Sequence, residues 1–384
     1  MPEALGQILF GFSLFLLAYI HFGYPAFLWA LGRIRPRPVR RADVTPVIDL
    51  VIGAFNEEAV LGKKLENCLA LDYPRDRLNI IVASDASTDR THAIARSFEG
   101  RGVKLVVAPR RRGKAANFRE LVPALGGELV LFSDAGSLYR SDTLRKIARN
   151  FADPEVGCVG GRIRYVNPGE TSVTQGEGLY WRYEVFLRKA ESAIGSAVVL
   201  SGAVYAIRRE LYRAVPDHLP DDFMSPMNVL DQGRRVLYET DTEILETMAT
   251  STRTEIATKT RIISRNFTAL RSMKRLLNPR RDPLLAVQLL SHRLLRWFVL
   301  PIALVLLLSN LMLIHRPVYA ALFAGQLLFY LLALTGFLLN RAGKRSKVAF
   351  LPFYFVLVNL SAALALGRLL LGHRVGGVWE PVER

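Results

Sequence analysis

Val47-Ile48-Asp49-Leu50-Val51-Ile52-Gly53-Ala54-Phe55-Asn56-Glu57-Glu58 is the stretch on which the fold turns. β-Branched residues crowd its first half, so Val47–Phe55 reads as a strand. Asn56 then reads as a helix cap, with Glu57 and Glu58 in the first turn and Val60, Leu61, Leu65 and Leu69 on one face. The pattern recurs downstream. Strands are predicted over Leu78–Ala83, Val103–Ala108, Glu128–Ser133 and Val156–Val166, separated by helices near Asp89–Phe98, Lys114–Leu125 and Ser141–Phe151. Such alternation predicts an α/β fold on a doubly wound, largely parallel sheet.

Sheets of this kind bind ligands at the carboxyl ends of their strands. The residues able to do chemistry collect there. Asn56 and Glu57 follow the first strand, Asp85 the second, Arg110 to Lys114 the third and Asp134 the fourth.

Working outward, the N-terminal run Gln7–Leu31 holds His21 and no other ionisable group, and its length suffices to cross roughly 30 Å of hydrocarbon. Phe298–Ile314, Val318–Leu339 and Val348–Leu371 are comparable. The first run lacks a preceding basic region and a small-residue cleavage site, so it reads as a retained anchor. Basic residues lie at Arg33–Arg41, at Arg280, Arg281, Arg293 and Arg296, and at Arg341, Lys344, Arg345 and Lys347. The positive-inside rule puts all three groups on the cytoplasmic side of a bacterial-type inner membrane, together with the soluble block. The expected organisation is a transmembrane helix over 1–32, a stiff basic linker over 33–46, the α/β domain over 47–250 and amphipathic interface helices over 251–293. Three transmembrane helices over 294–372 and a tail over 373–384 complete it.

The net charge is +17. Because the basic clusters flank apolar spans, they predict attraction to anionic lipid headgroups, and no nucleic-acid partner is expected. Cys68 and Cys158 lack companion ligands at metal-site spacing and read as packing residues.

Five motifs, taken in order over about Val47–Arg265, resemble those of family 2 glycosyltransferases, inverting enzymes with the Rossmann-like GT-A fold. Membrane members include cellulose, chitin and hyaluronan synthases. Gly53-Ala54-Phe55-Asn56-Glu57-Glu58 resembles the family's opening turn, which implies that Ala54, Phe55, Asn56 and Glu57 line a uridine pocket. Ser84-Asp85-Ala86-Ser87-Thr88-Asp89 resembles the segment whose carboxylate binds uracil or ribose, a role that falls to Asp85, while Asp89 caps the next helix. Arg112-Gly113-Lys114 resembles a diphosphate-binding turn. Asp134 sits where the family has the first acid of its D-x-D metal motif, which implies Mg2+ or Mn2+, but Gly136 replaces the second acid and offers no ligand. Leu200–Arg209 resembles a small-residue segment near the acceptor, and Asp221-Asp222 follows at the place of the general base. Asp222 is the first choice and Asp221 its rival.

The synthases' Q-x-x-R-W motif is only partly met at Thr258–Asn266, where Arg261 and Arg265 are candidates to neutralise the diphosphate. Trp181-Arg182-Tyr183-Glu184, inside a helix expected over Glu177–Ala193, reads either as core or as acceptor contact. Arg293 and Arg296 are expected to snorkel to headgroups. The resemblance implies transfer of a hexosyl unit from a UDP-sugar to a polysaccharide or lipid-linked acceptor. The competing reading is an inactive UDP-binding membrane regulator, with Gly136 marking a lost metal site.

Overall fold

In the computed structural model, residues 2–166, 172–246, 252–344 and 346–372 are described; the expected tail and the 250/251 boundary lie outside them. Eight strands form one sheet: β1 (Ile48–Ala54), β2 (Leu78–Ser84), β3 (Val103–Val107), β4 (Leu129–Asp134), β5 (Leu138–Tyr139), β6 (Val156–Tyr165), β7 (Val204–Arg208) and β8 (Arg235–Glu246). Their spatial order is β3-β2-β1-β4-β7-β6-β8-β5. The first four are mutually parallel, as the alternation predicts. β7 runs antiparallel to both β4 and β6, and β5 antiparallel to β8, so the sheet is mixed.

Successive side chains of β1 enter different cores. Ile48, Leu50 and Ile52 join one apolar cluster and Val51 the other, which is why the strand reads as a continuous hydrophobic run. The Val51 side also takes in Phe223, Ala269, Leu270, Leu289 and Trp297, so it joins the sheet to the helices leading towards the apolar spans.

The first helix departs from expectation. It begins at Leu61, because Asn56 adopts a left-handed φ of 54° and cannot cap it. The Asn56 amide oxygen instead accepts the Thr88 N–H at 2.8 Å, and a turn at Glu57–Val60 leads into the helix. The helix over Lys114–Leu121 stops short of 125 because Pro123 cannot continue it.

Glu3–Ile34, Pro317–Arg341 and Val348–Leu370 are long and apolar enough to cross a membrane. The span expected at Phe298–Ile314 differs. Pro283–Trp297 and Val299–Met312 meet at 63° around Phe298 and count as a fourth span only if taken together. The cause is local: Pro301 has no N–H for the Trp297 carbonyl, and its ring crowds that oxygen.

The last two helices approach closely at Gly336, where an added Cβ would lie 2.5 Å from the Ala349 carbonyl oxygen and 2.7 Å from Phe353 Cβ. Gly336→Val is therefore expected to cost about 1–3 kcal/mol through overpacking. Gly325→Val, in the same helix but with open space around it, should be near neutral. Thermal unfolding of both variants in detergent checks the pair, and equal midpoints would refute the packing argument.

Candidate active site

The carboxyl ends of β1, β2 and β4 surround an open cleft enclosing about 510 Å³, lined among others by Ala54, Phe55, Glu57, Asp85, Lys114 and Asp134. These six are among the sequence-predicted site residues. Asn56 lies at the rim and holds the 86–88 turn, as its bond to Thr88 shows. Arg111 stacks 3.9 Å over the Phe55 ring, so a cation and an aromatic face border the same mouth. Asp89, expected to cap the next helix, lies one residue before the N-cap position, Arg90, of helix Thr91–Ser97; it accepts the Thr91 N–H at 2.9 Å and the Glu58 N–H at 3.0 Å, tying the two turns together.

Asp85 is buried and already engaged. One carboxylate oxygen accepts the Arg112 N–H at 2.8 Å and the Asn117 amide at 3.0 Å, while the other accepts the Gly113 N–H at 2.8 Å. Gly113 adopts φ 94°, a conformation that costs other residues dearly and lets two consecutive N–H groups reach one carboxylate. Asp85 thus fixes the start of helix Lys114–Leu121, and only its remaining lone pairs are left for a ligand. The Arg112 side chain is not in the cleft. Its guanidinium forms a two-pronged pair with Glu120, at 2.5 and 2.7 Å, so the residue serves the site through its backbone.

Lys114 is the electrostatic centre. Its ammonium donates to Asp134 Oδ1 at 2.7 Å and lies 3.9 Å from Asp221 Oδ2. Burial alone would lower its pKa, but Asp134 and Asp221 outweigh that and hold it above the usual lysine range. Asp221 and Asp222 open the helix Asp221–Asp231, where the N-terminal dipole favours carboxylates. They are not equivalent. Asp221 Oδ2 accepts the Tyr205 hydroxyl at 3.1 Å, whereas the Asp222 carboxylate accepts no hydrogen bond among the described residues. Burial first, and then repulsion from Asp221, push the Asp222 carboxyl up to about 6. Gly202 gives this side chain its room, since a Cβ there would stand 3.2 Å from Asp222 Oδ2.

Arg265 acts electrostatically on Asp222, and its buried Nε has no hydrogen-bond partner among the described residues. Arg261 lies four residues earlier in helix Thr252–Ser272, on the same face. Arg296 departs from expectation: it pairs with buried Glu184 and sits over the Tyr180 and Tyr183 rings. Arg293 likewise turns inward, 5.0 Å over the Phe223 ring beside Asp222.

Sequence reasoning also missed Lys64 and Tyr205. Lys64 is fully buried, donates to the Ser137 carbonyl at 2.6 Å and lies 3.5 Å over Tyr139, bracing the turn after Asp134. Its place among Leu61, Leu65 and Cys68 on one helical face was a legible signal.

Among the described residues, no group of three or more His, Cys, Asp or Glu side chains is placed to hold an ion. Asp134 nevertheless suits a shared one. It is 43% exposed, and its Oδ2 accepts no hydrogen bond among the described residues. One carboxylate oxygen with phosphate oxygens and waters is a sufficient set for a hard divalent cation.

The sequence profile described as Glycosyltransferase like family 2 matches residues 46–266. A Beta-monoglucosyldiacylglycerol synthase of Synechocystis is 30% identical over 174 residues, covering 44% of this chain and 36% of that protein. An N-acetylglucosaminyltransferase of Rhizobium meliloti is 28% identical over 213 residues, covering 51% and 50%. The chain thus spans half or less of the length of these curated relatives. Among solved structures, the mannosyltransferase PcManGT from Pyrobaculum calidifontis, in complex with GDP-Man and Mn2+, superposes with a TM-score of 0.73 at 23% identity. The match covers 95% of this chain and 99% of that one, so the two share a fold from end to end.

Proposed function

The chain belongs to the glycosyltransferase-like family 2, and from that premise we propose that it moves a hexosyl unit, with inversion, from a UDP-sugar to a lipid-linked acceptor at a membrane surface. The observation that carries this reading is the placement of Asp222. Its carboxylate accepts no hydrogen bond among the described residues, is raised to about 6, and lies within electrostatic reach of Lys114 and Asp134, which line the cleft. A base of that pKa is mostly ionised at neutral pH and still basic enough to accept a proton in a transition state.

The acceptor hydroxyl attacks the anomeric carbon while Asp222 Oδ takes its proton, and the nucleoside diphosphate departs from the opposite face. Lys114 and Arg265 supply positive charge to the departing diphosphate, Arg261 lies on the same helical face, and Asp221, held by Tyr205, keeps Lys114 in place. Asp134 would hold Mg2+ or Mn2+, which supplies Lewis-acid stabilisation of the leaving group when bound. Ala54, Phe55, Asn56, Glu57 and Asp85 border the part of the cleft suited to the nucleoside.

A lipid-linked acceptor fits a site joined through one core to apolar helices, and a relative is named as a Beta-monoglucosyldiacylglycerol synthase. A polysaccharide acceptor in cell-envelope assembly is the alternative within the same chemistry. The basic flanks of the apolar spans support a multi-pass topology with the domain on the cytoplasmic face of a bacterial inner membrane.

The test uses the full chain in detergent with native lipid. Nucleoside diphosphate release is followed across UDP- and GDP-sugars with Mg2+, Mn2+ or EDTA. Release that requires the metal and names one donor is the expected result. Nucleotide binding without release from any donor would favour the regulator reading.

A further inference from the structure

Beside the base lies a second cluster of charge that the transfer step does not use. Helix Ser172–Ile194 brings Glu184, Arg188 and Glu191 against His292, Arg293 and Arg296 of the bent segment Pro283–Trp297. His292 bridges the two acids, 2.7 Å from Glu191 and 3.3 Å from Glu184. Tyr24 of the N-terminal helix donates to Glu191 at 2.6 Å. Glu184 pairs with Arg296 and, more loosely at 3.4 Å, with Arg188.

The account of charge does not close. Three guanidiniums face two carboxylates, and both carboxylates are shared with a histidine. Arg188 is 5% exposed and its Nε finds no acceptor among the described residues. Arg293 has no carboxylate partner and no hydrogen bond among the described residues, only the Phe223 ring beneath it. The Trp181 indole N–H, whose ring lies 5.3 Å from the Arg188 guanidinium, also meets no acceptor among the described residues. An unsatisfied buried donor is destabilising, and an uncompensated buried charge more so. These donors gather about one place, since Arg293 is within electrostatic reach of both Arg188 and Asp222.

We propose that Arg188 and Arg293, with the Trp181 N–H, hold the phosphate of a phospholipid acceptor so that a hydroxyl of its headgroup meets Asp222. This deepens the transferase reading and rests on it. The side of the site argues for acceptor over donor. The donor cleft opens at the ends of β1, β2 and β4, whereas Arg293 reaches Asp222 from the segment that continues into the apolar helix Val299–Met312. A lipid entering along that helix meets the arginines before it meets the base. Guanidiniums suit phosphate because their fork of donors matches its oxygens. In the step itself, the headgroup hydroxyl oxygen bonds to the anomeric carbon as the bond from that carbon to the diphosphate oxygen breaks. The hydroxyl proton passes to Asp222, and the nucleoside diphosphate leaves with the bonding electron pair. The lipid phosphate is unchanged.

The experiment has a binding arm and a kinetic arm, both on the full chain in detergent. Dioctanoyl phosphatidylglycerol, dioctanoylglycerol and inorganic phosphate are titrated against tryptophan fluorescence, to which Trp181 contributes. Expected are binding of the phospholipid, at least tenfold weaker binding of the uncharged diacylglycerol, and loss of at least tenfold in affinity in both Arg188→Gln and Arg293→Gln. Inorganic phosphate should compete with the phospholipid. Lys189→Gln, an exposed neighbour on the same helix, should bind as the wild type does. In the kinetic arm the arginine variants should raise KM for the lipid at least tenfold while donor KM stays within twofold, which also reports that they are folded. Equal binding of both lipids, binding unchanged in both variants, or a rise in donor KM instead of lipid KM would overturn the proposal. A wild type that binds the phospholipid through these arginines yet releases no nucleotide from any donor would instead overturn the transferase reading, and with it the acceptor role.

Discussion

Asp222→Asn is expected to lower kcat for sugar transfer by about 10²–10⁴-fold while leaving donor binding nearly intact. The substitution keeps the shape and removes only the ability to take a proton. Asp221→Asn should behave differently, because Asp221 is held by Tyr205 and lies 3.9 Å from Lys114. Its loss would disturb donor affinity more than the proton transfer. A comparison of kcat and KM in the two variants separates the roles, and an Asp222→Asn enzyme with ordinary kcat would end the assignment.

Two pH dependences accompany this prediction. With a carboxyl near 6, transfer should fall roughly tenfold between pH 7 and pH 5, as Asp222 becomes protonated among Asp221, Lys114, Asp134 and Arg265. Stability runs the other way. A folded-state pKa raised above the unfolded value favours the fold below pH 4, and that contribution is lost as pH rises through 6. At pH 7 the ionised carboxylate therefore costs on the order of 3 kcal/mol, and asparagine should recover part of it. A variant that melts higher than the wild type at pH 7, but not at pH 4, while transferring almost nothing is the expected signature.

Why the candidate base could be placed from sequence and the arginine cluster could not is a matter of sequence distance. β1, β2 and β4 are buried on both faces, so their residues form unbroken apolar runs, and whatever follows such a run in an α/β sheet stands at the ligand edge. Asp85, Lys114, Asp134 and the Asp221-Asp222 pair could be placed by that rule and by motif. β8 escaped because charged residues interrupt it. Glu239 enters the interior only because Arg149 and Asn150, some ninety positions away, neutralise and bond it. Arg112 was misplaced for the opposite reason, since its side chain turns to Glu120 close by while its backbone does the work. The bend at Phe298 could have been read from Pro301. No local pattern, however, tells that Glu184 and Arg296, 112 positions apart, form a pair that leaves Arg293 without a carboxylate partner among the described residues.

Lys114→Ala carries the second large effect, and it should appear in three readouts at once. The ammonium is the shared counter-charge of Asp134 and Asp221 and also attracts Asp222. Without it three carboxylates share a half-buried space, so the Asp222 carboxyl should move further above 6 and the acidic limb of the pH profile should shift to higher pH. The donor loses a charge-assisted contact to its diphosphate, which is expected to weaken its binding about 10- to 10²-fold. Stability should fall by only about 1–2 kcal/mol at neutral pH, because Asp134 is 43% exposed and water replaces much of what the ion pair provided. The sign is fixed by linkage: a lysine whose pKa is raised in the fold contributes its full stabilisation below the ordinary lysine range and loses it only in strong alkali. Lys114→Arg, which keeps the charge on a longer stem, should restore the pH profile more fully than donor affinity. Isothermal titration with nucleotide, beside pH–rate profiles of the three proteins, decides the matter. An alanine variant that binds donor as the wild type does, with the acidic limb unmoved, would remove Lys114 from the diphosphate site and from control of the base together.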